Sequence, residues 1–236
     1  MAETKIFIAD IFKSIQGEGA RIGTPSLFLR LGICNLQCSW CDTPYTWKKG
    51  LTDYSAHSDR SIITELQSLH KNTGIKNIVI TGGEPMLQQE QLARLLSNKF
   101  FDDFEIEFET NGSMPFLKNM QNFIEKRNKN SQRLQITFNI SPKLADSGNK
   151  AYRVHNYPDS VLKFVYVSKK SEKLIDEFMK QNKEMFKKTP VFIMPEGTTL
   201  AKMSEKYENA VSYCLKRGYK FTPRLQIYLF GNTRAT

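Results

Sequence analysis

Short apolar runs alternate with amphipathic stretches along most of this 236-residue chain, and that alternation limits its fold more than any other feature. The spacing predicts strands over residues 5–11, 26–31, 77–81, 104–110, 135–140, 161–167, 191–194 and 225–229. Helical patterns fall between most of them. Residues 59–70 place Ile62, Ile63, Leu66 and Leu69 at helical spacing, and residues 88–96, 171–181 and 202–217 follow the same periodicity. Strands alternating with helices imply an α/β fold, a parallel sheet or barrel with right-handed crossovers. The chain is long enough to bury a substantial core. With no internal repeat and no linker rich in Pro, Gly or Ser, residues 1–236 are expected to form a single domain.

The polar punctuation after the strands carries more information. Thr81-Gly82-Gly83-Glu84-Pro85, Thr110-Asn111-Gly112, Ser141-Pro142-Lys143 and Pro195-Glu196-Gly197 each follow an apolar run. Each therefore falls at the C-terminal end of an expected strand. In barrel-like α/β folds that rim carries the active site. One such turn is ordinary loop chemistry; four on one rim point to function.

A fifth rim segment holds Cys34, Cys38 and Cys41 in the spacing Cys-x3-Cys-x2-Cys. Three thiolates in so short a loop can wrap a cubic iron–sulfur cluster but leave one of its four irons open. Zinc is the inorganic rival, and a structural zinc site wants a fourth protein ligand. The remaining candidates are Cys214, which sits in an amphipathic pattern as a core residue would, and His57, His70 and His155. Four cysteines in a chain of this length do not make a disulfide framework, and reduced thiols imply a reducing compartment. No segment reaches the roughly 18 apolar residues of a membrane helix, and the N-terminus does not read as a signal peptide. A cytoplasmic protein is expected. The net charge of +10 comes from scattered lysines, without a basic run interleaved with aromatics. It reads as a solvated surface, with no membrane and no direct nucleic-acid partner.

Cys-x3-Cys-x2-Cys with Trp40 before the third cysteine resembles the signature of radical S-adenosylmethionine enzymes. Thr81-Gly82-Gly83-Glu84-Pro85 looks like that superfamily's Gly-Gly-Glu motif. Further segments narrow the match: residues 11–19 with Gln16-Gly17-Glu18-Gly19, residues 28–32, Cys41-Asp42-Thr43, Ser141-Pro142-Lys143 and the ending Leu-Phe-Gly-Asn-Thr-Arg. Together they resemble the 7-carboxy-7-deazaguanine synthases over nearly the whole chain. The resemblance implies a modified partial (β/α) barrel, a [4Fe-4S] cluster, S-adenosylmethionine and Mg²⁺. It implies radical-mediated contraction of 6-carboxy-5,6,7,8-tetrahydropterin to 7-carboxy-7-deazaguanine with loss of ammonia, as in queuosine-type biosynthesis. It also implies a homodimer and an electron donor such as a flavodoxin.

By the same resemblance, Cys34, Cys38 and Cys41 match the cluster ligands and Thr43 a magnesium ligand. Ile15, Gln16, Gly17, Arg30 and Thr81 match substrate-contacting positions. Gly83, Ser141, Pro142, Lys143, Met194, Pro195, Glu196 and Gly197 match positions around S-adenosylmethionine, and the Glu84 carboxylate suits its cationic amine. Glu18 is expected either at the pterin edge or as a solvated turn carboxylate. Two other readings use the same cysteines: a glycyl-radical enzyme activase, and a non-catalytic iron–sulfur or zinc module that binds RNA. Gln16-Gly17-Glu18-Gly19 and Thr43 argue against the activase, because they supply small-molecule and magnesium contacts.

Overall fold

The computed structural model describes residues 5–130 and 136–236. Its elements run in the order β1 (Ile6–Ile15), β2 (Pro25–Leu31), β3 (Ser55–His57), α1 (Asp59–Thr73), β4 (Asn77–Gly82), α2 (Gln89–Leu96), β5 (Glu105–Thr110) and α3 (Lys118–Asn130). They continue with β6 (Ile136–Ile140), β7 (Ser160–Tyr166), α4 (Lys169–Gln181), β8 (Val191–Pro195), α5 (Leu200–Arg217), β9 (Lys220–Phe221) and α6 (Leu225–Phe230). Among the described residues, nine strands form one open sheet in the order β3-β1-β2-β4-β5-β6-β7-β8-β9. From β2 to β9 every pairing is parallel, while β1 runs antiparallel to both β2 and β3. Of the strand expected over residues 135–140, Gln135 lies outside the described residues.

The helices begin and end on local signals. Ser58 caps α1 by accepting from the Ser61 N–H at 3.2 Å, and Gly74 ends it in the left-handed conformation with its N–H on the His70 carbonyl. Ser168 and Ser171 form a reciprocal capping box at the start of α4. Thr199 and Gly218 bracket α5 in the same way as α1.

The strand expected over residues 225–229 is instead helix α6. A short apolar run has no periodicity long enough to separate strand from helix, so its surroundings decide. Pro223 has no N–H with which to extend the β9 ladder. The Leu225 N–H is bonded to the Gly17 carbonyl at 2.9 Å, and the Ile227 and Tyr228 N–H groups fold back onto Arg224. Ile227 is buried, while Tyr228, Leu229 and Phe230 face outward.

Side chains alternate across the sheet. Leu27, Leu29, Leu31, Ile78, Ile80, Ile106, Phe108, Ile136, Phe138, Ile140, Leu162 and Phe164 belong to one apolar core, shared with Ile62, Leu66, Leu92 and Ile175 of the helices. The intervening residues, Arg30, Thr81, Glu109, Lys163, Val165 and Met194 among them, line a cavity on the other face. That face is concave. Gln16, just past β1, reaches Glu109 on β5 at 3.2 Å, and Glu18 reaches Lys163 on β7 at 2.5 Å. Residues so far apart in the strand order can touch only if the sheet curls. The result is the partial barrel expected, left open between its edge strands.

Phe138 is fully buried in the core, stacked on Phe108 with centroids 5.0 Å apart and flanked by Tyr157 at 4.9 Å and Phe116 at 5.9 Å. Phe138→Ala should therefore cost about 3–5 kcal/mol. Urea unfolding should show a lower midpoint with an unchanged slope.

Candidate functional site

The C-terminal ends of the parallel strands and the loops beyond them surround a cavity of about 650 Å³, within the roughly 300–1,000 Å³ typical of small-molecule sites. Of the residues singled out from sequence, Ile15, Gln16, Gly17, Arg30, Cys34, Cys38, Cys41, Thr43, Thr81, Gly83, Ser141, Lys143, Met194 and Glu196 line it. Pro142, Pro195 and Gly197 belong to the same turns but do not line the wall. Glu18, Gln226 and the last residue of the sequence, Thr236, also reach it. Ser14 holds Thr236 there by donating its hydroxyl to the Thr236 carbonyl oxygen.

The cysteine loop follows β2. Its three thiols are half-buried, and each accepts one N–H. The Leu36 backbone approaches Cys34 Sγ at 3.5 Å, Asn149 Nδ2 approaches Cys38 Sγ at 3.1 Å, and Trp47 Nε1 approaches Cys41 Sγ at 3.3 Å. Donors aimed at sulfur favour thiolate over thiol. Burial works the other way, pushing the Cys34 thiol up to about 12 and raising Cys38 as well. Metal binding must therefore release those protons. The proposed fourth zinc ligands lie elsewhere: Cys214 is packed in the core, and His57, His70 and His155 do not line the cavity. His70 instead bonds the Ile75 carbonyl through Nδ1 at 2.8 Å and packs edge-on to Phe104. Among the described residues, no three His, Cys, Asp or Glu side chains converge on a single ion position. A donor set of three spaced thiols fits a cubane, whose ligated irons occupy separate corners.

Thr43 lies two residues past the last thiol. Its carbonyl accepts from the Thr46 N–H at 3.0 Å and hydroxyl at 2.8 Å, so the carbonyl and not the side chain organises the turn at Pro44. The Thr43 hydroxyl makes no capping bond and sits 3.8 Å from Cys41 Sγ.

The second glycine of the pair both lines the cavity and packs on backbone. Gly83 packs directly on the cysteine loop: its N–H bonds the Leu31 carbonyl, and the next N–H, of Glu84, bonds the Ile33 carbonyl at 2.8 Å. A Cβ on Gly83 would collide with that Ile33 carbonyl. The close approach is thus first of all to the backbone that carries Cys34. Glu84 is likewise turned inward rather than towards the cavity. It is fully buried, and its carboxylate accepts from the Met86 N–H at 2.9 Å, the Thr110 hydroxyl at 2.6 Å and the Asn111 N–H at 2.7 Å. Its bonds join the end of β4 to the end of β5.

Charged groups that sequence reasoning missed form the cavity floor. Lys163, 3% exposed, donates to Glu18 at 2.5 Å and Glu109 at 2.7 Å. Arg224 bonds Glu18 at 3.2 Å, the Gly197 carbonyl at 2.5 Å and Asp42 of the cysteine loop. Burial alone would raise the Glu18 carboxyl, but Lys163 and Arg224 outweigh it and hold Glu18 well below the usual carboxylate range. Glu18 is therefore neither a solvated turn residue nor without protein partners, since Gln226 also donates to it at 2.7 Å. Gln16 spends its amide N–H groups on Glu107 and Glu109, and its amide oxygen accepts from the Glu18 N–H at 3.3 Å. Arg30 lies over the Phe12 ring with Nε 3.2 Å from Asp10. One signal was available for Lys163: a cation interrupting the apolar run Ser160–Tyr166 needs a buried partner.

Deeper on the same face, burial and then the like charge of Glu109 push Glu107 up to about 8, against 4.5 for an ordinary glutamate. Native Glu107 binds its proton more tightly than the unfolded chain does. Its contribution to stability is complete below about pH 4.5 and is lost as pH rises through about 8. Glu107→Gln should flatten that decline. Urea unfolding of parent and variant from about pH 5 to about pH 8 would measure it, and identical slopes would refute the assignment.

The model of the radical SAM superfamily matches residues 29–173. The 7-carboxy-7-deazaguanine synthase of Clostridium acetobutylicum is 33% identical over 198 residues, covering 80% of each chain. That of Aquifex aeolicus is 32% identical across 92% of this chain and 89% of its own. That of Pyrobaculum aerophilum is 26% identical across 99% of this chain and 98% of its own. Among solved structures, QueE from Escherichia coli has the same fold, with a TM-score of 0.66 at 21% identity over 94% of both chains. Three cysteines on the rim of a partial barrel and matches along almost the full length place this chain in the radical SAM superfamily and, within it, among the 7-carboxy-7-deazaguanine synthases.

Proposed function

We propose that this chain converts 6-carboxy-5,6,7,8-tetrahydropterin into 7-carboxy-7-deazaguanine with loss of ammonia. The observation that carries this reading is the single cavity in which the cysteine loop, the strand-end turns and the loop after β1 meet. Membership of the radical SAM superfamily implies a [4Fe-4S] cluster and S-adenosylmethionine. Together these supply one-electron reduction of a sulfonium and hence radical chemistry.

The chain's own residues bind, orient and shield. Cys34, Cys38 and Cys41 hold the cluster. Gly83, Ser141, Lys143, Met194 and Glu196 face S-adenosylmethionine, with Pro142, Pro195 and Gly197 shaping the turns that present them. Lys143 is braced for this by Ser141 Oγ at 2.7 Å and by the Trp40 ring at 5.4 Å. Ile15, Gln16, Gly17, Arg30 and Thr81 surround the pterin. Arg30 offers a cation to its carboxylate, and Gln16, braced by Glu107 and Glu109, keeps one orientation. Thr43, whose hydroxyl is free of turn duties, takes part in Mg²⁺ binding beside the substrate, in keeping with that ion's use of few protein ligands. Lys163 holds Glu18 ionised at the cavity wall. Homodimerisation, a cytoplasmic setting and a flavodoxin-type electron donor complete the proposal. No helix among the described residues is long and apolar enough to cross a membrane.

Anaerobic incubation with S-adenosylmethionine, reductant, Mg²⁺ and the pterin, read out as deazaguanine and 5′-deoxyadenosine, tests the reading. Absence of both products from iron-loaded protein would overturn it. Alanine at Cys34, Cys38 or Cys41 should abolish cleavage of S-adenosylmethionine, whereas Cys214→Ser should keep both iron and activity. Thr43→Ala should lower turnover on the order of tenfold or more, the scale on which groups supporting a metal act. It should also raise the Mg²⁺ needed for half-maximal rate while leaving S-adenosylmethionine binding nearly unchanged. An unaltered Mg²⁺ dependence would count against Thr43 as a ligand.

A further inference from the structure

Two side-chain N–H groups outside the cysteine motif donate hydrogen bonds to its sulfurs, and both are held in place by other contacts. Asn149 lies in the turn after β6. Its Oδ1 accepts the Gln37 N–H at 2.9 Å, which fixes the amide so that Nδ2 meets Cys38 Sγ at 3.1 Å. The same turn grips the loop again where the Ser39 N–H bonds the Ser147 carbonyl at 3.0 Å. Trp47 follows the short turn Pro44–Thr46. Its backbone N–H is bonded to the Pro44 carbonyl at 3.1 Å, and its indole Nε1 meets Cys41 Sγ at 3.3 Å. The third thiol, Cys34, has only a longer backbone donor, Leu36 at 3.5 Å. The loop is thus asymmetric, with strong side-chain donors on two sulfurs and a weak main-chain donor on the third.

We propose that Trp47 and Asn149 are positioning residues that set the reduction potential of the cluster. This rests on the superfamily reading of the three cysteines. Reduction adds one electron, and so one negative charge, to the cluster and its thiolates. An N–H donor to sulfur stabilises the more negative state and raises the potential, one of the general controls on iron–sulfur centres. Two such donors make the cluster easier to reduce than its three thiolates alone would. They lie on elements that also frame the cavity: Trp47 lines it directly, and Asn149 belongs to the segment that begins at Ser141.

The test is potentiometric titration of the reconstituted chain without S-adenosylmethionine, following the reduced cluster by electron paramagnetic resonance. Trp47→Phe keeps an aromatic ring and removes the donor. Asn149→Asp keeps the size and the acceptor for Gln37 and replaces the donor with a carboxylate. Each variant should retain the parent's iron content. Each should lower the midpoint by an amount equivalent to roughly tenfold in the reduction equilibrium, ~59 mV for one electron, and the double variant should lower it further. Unchanged midpoints overturn the proposal, and so does loss of the cluster from both variants, which would make the two residues structural. The parent gives an independent check: exchange into D2O should alter proton couplings on the reduced cluster, and Trp47→Phe should remove part of that change. No exchangeable coupling in the parent also overturns the proposal. A parent that forms no iron–sulfur cluster at all contradicts the superfamily reading instead.

Discussion

The ion chain from Asp42 through Arg224, Glu18 and Lys163 to Glu109 holds this open sheet in a working shape. β3 and β9 do not pair with each other, so no strand ladder closes the barrel. Side chains span the opening instead. Arg224, which follows β9, grips the loop after β1 through Glu18 and the cysteine loop through Asp42, while Lys163 ties Glu18 to β5 through Glu109. Two further hydrogen bonds, Gly19 N–H to Thr222 Oγ1 and Leu225 N–H to the Gly17 carbonyl, close the seam. Removing one partner from a buried pair of this kind typically costs about 3–5 kcal/mol, because the remaining charge is stranded. Replacing the whole chain by apolar groups could be neutral for stability, so its value lies in what it positions. Its ends are a cavity carboxylate and the residue that joins the last thiol to Thr43.

Backbone contacts frame the cysteine loop. Gly83 and Glu84 bond its entry, Thr46 bonds the Ile33 N–H, and the turn at Ser147 bonds the Ser39 N–H. Ile33 adopts φ 70°, a left-handed conformation costly for a β-branched residue. The bonds to its N–H and carbonyl hold it there, aiming the chain into the cavity immediately before Cys34. Such outliers persist where the surroundings over-determine them, as they do at functional sites. The thiols are therefore presented by a scaffold that costs folding energy, consistent with a loop shaped for a ligand.

Much of the fold was legible in the sequence because its signals are local. Alternating apolar residues in β2, β4, β5, β6, β7 and β8 announce strands, and apolar residues at helical spacing announce α1, α2, α4 and α5. The exceptions are instructive. The stretch at 225–229 is a helix because Pro223 and the Gly17 carbonyl override a short apolar run, and β3 and β9 are too short to carry a pattern. The site divides similarly. The thiols and rim turns could be read from motif and spacing. Glu84 could not, because its orientation depends on Thr110 and Asn111, at and just past the end of the next strand of the sheet. Trp47 and Asn149 also escaped notice, since neither spacing nor composition reveals which N–H faces a sulfur.

By itself the sequence determined the α/β alternation, the three spaced thiols and the resemblance that names the family, since each is a pattern along the chain. Only the tertiary structure decided which face of the sheet is apolar core and which is cavity. It alone showed that Gly83 makes room for backbone, that Glu84 is sealed inside, and that Lys163 and Arg224 connect segments distant in sequence. The reason is physical: a buried charge or an aimed donor takes its meaning from its partner, and folding chooses partners across distances that spacing does not encode.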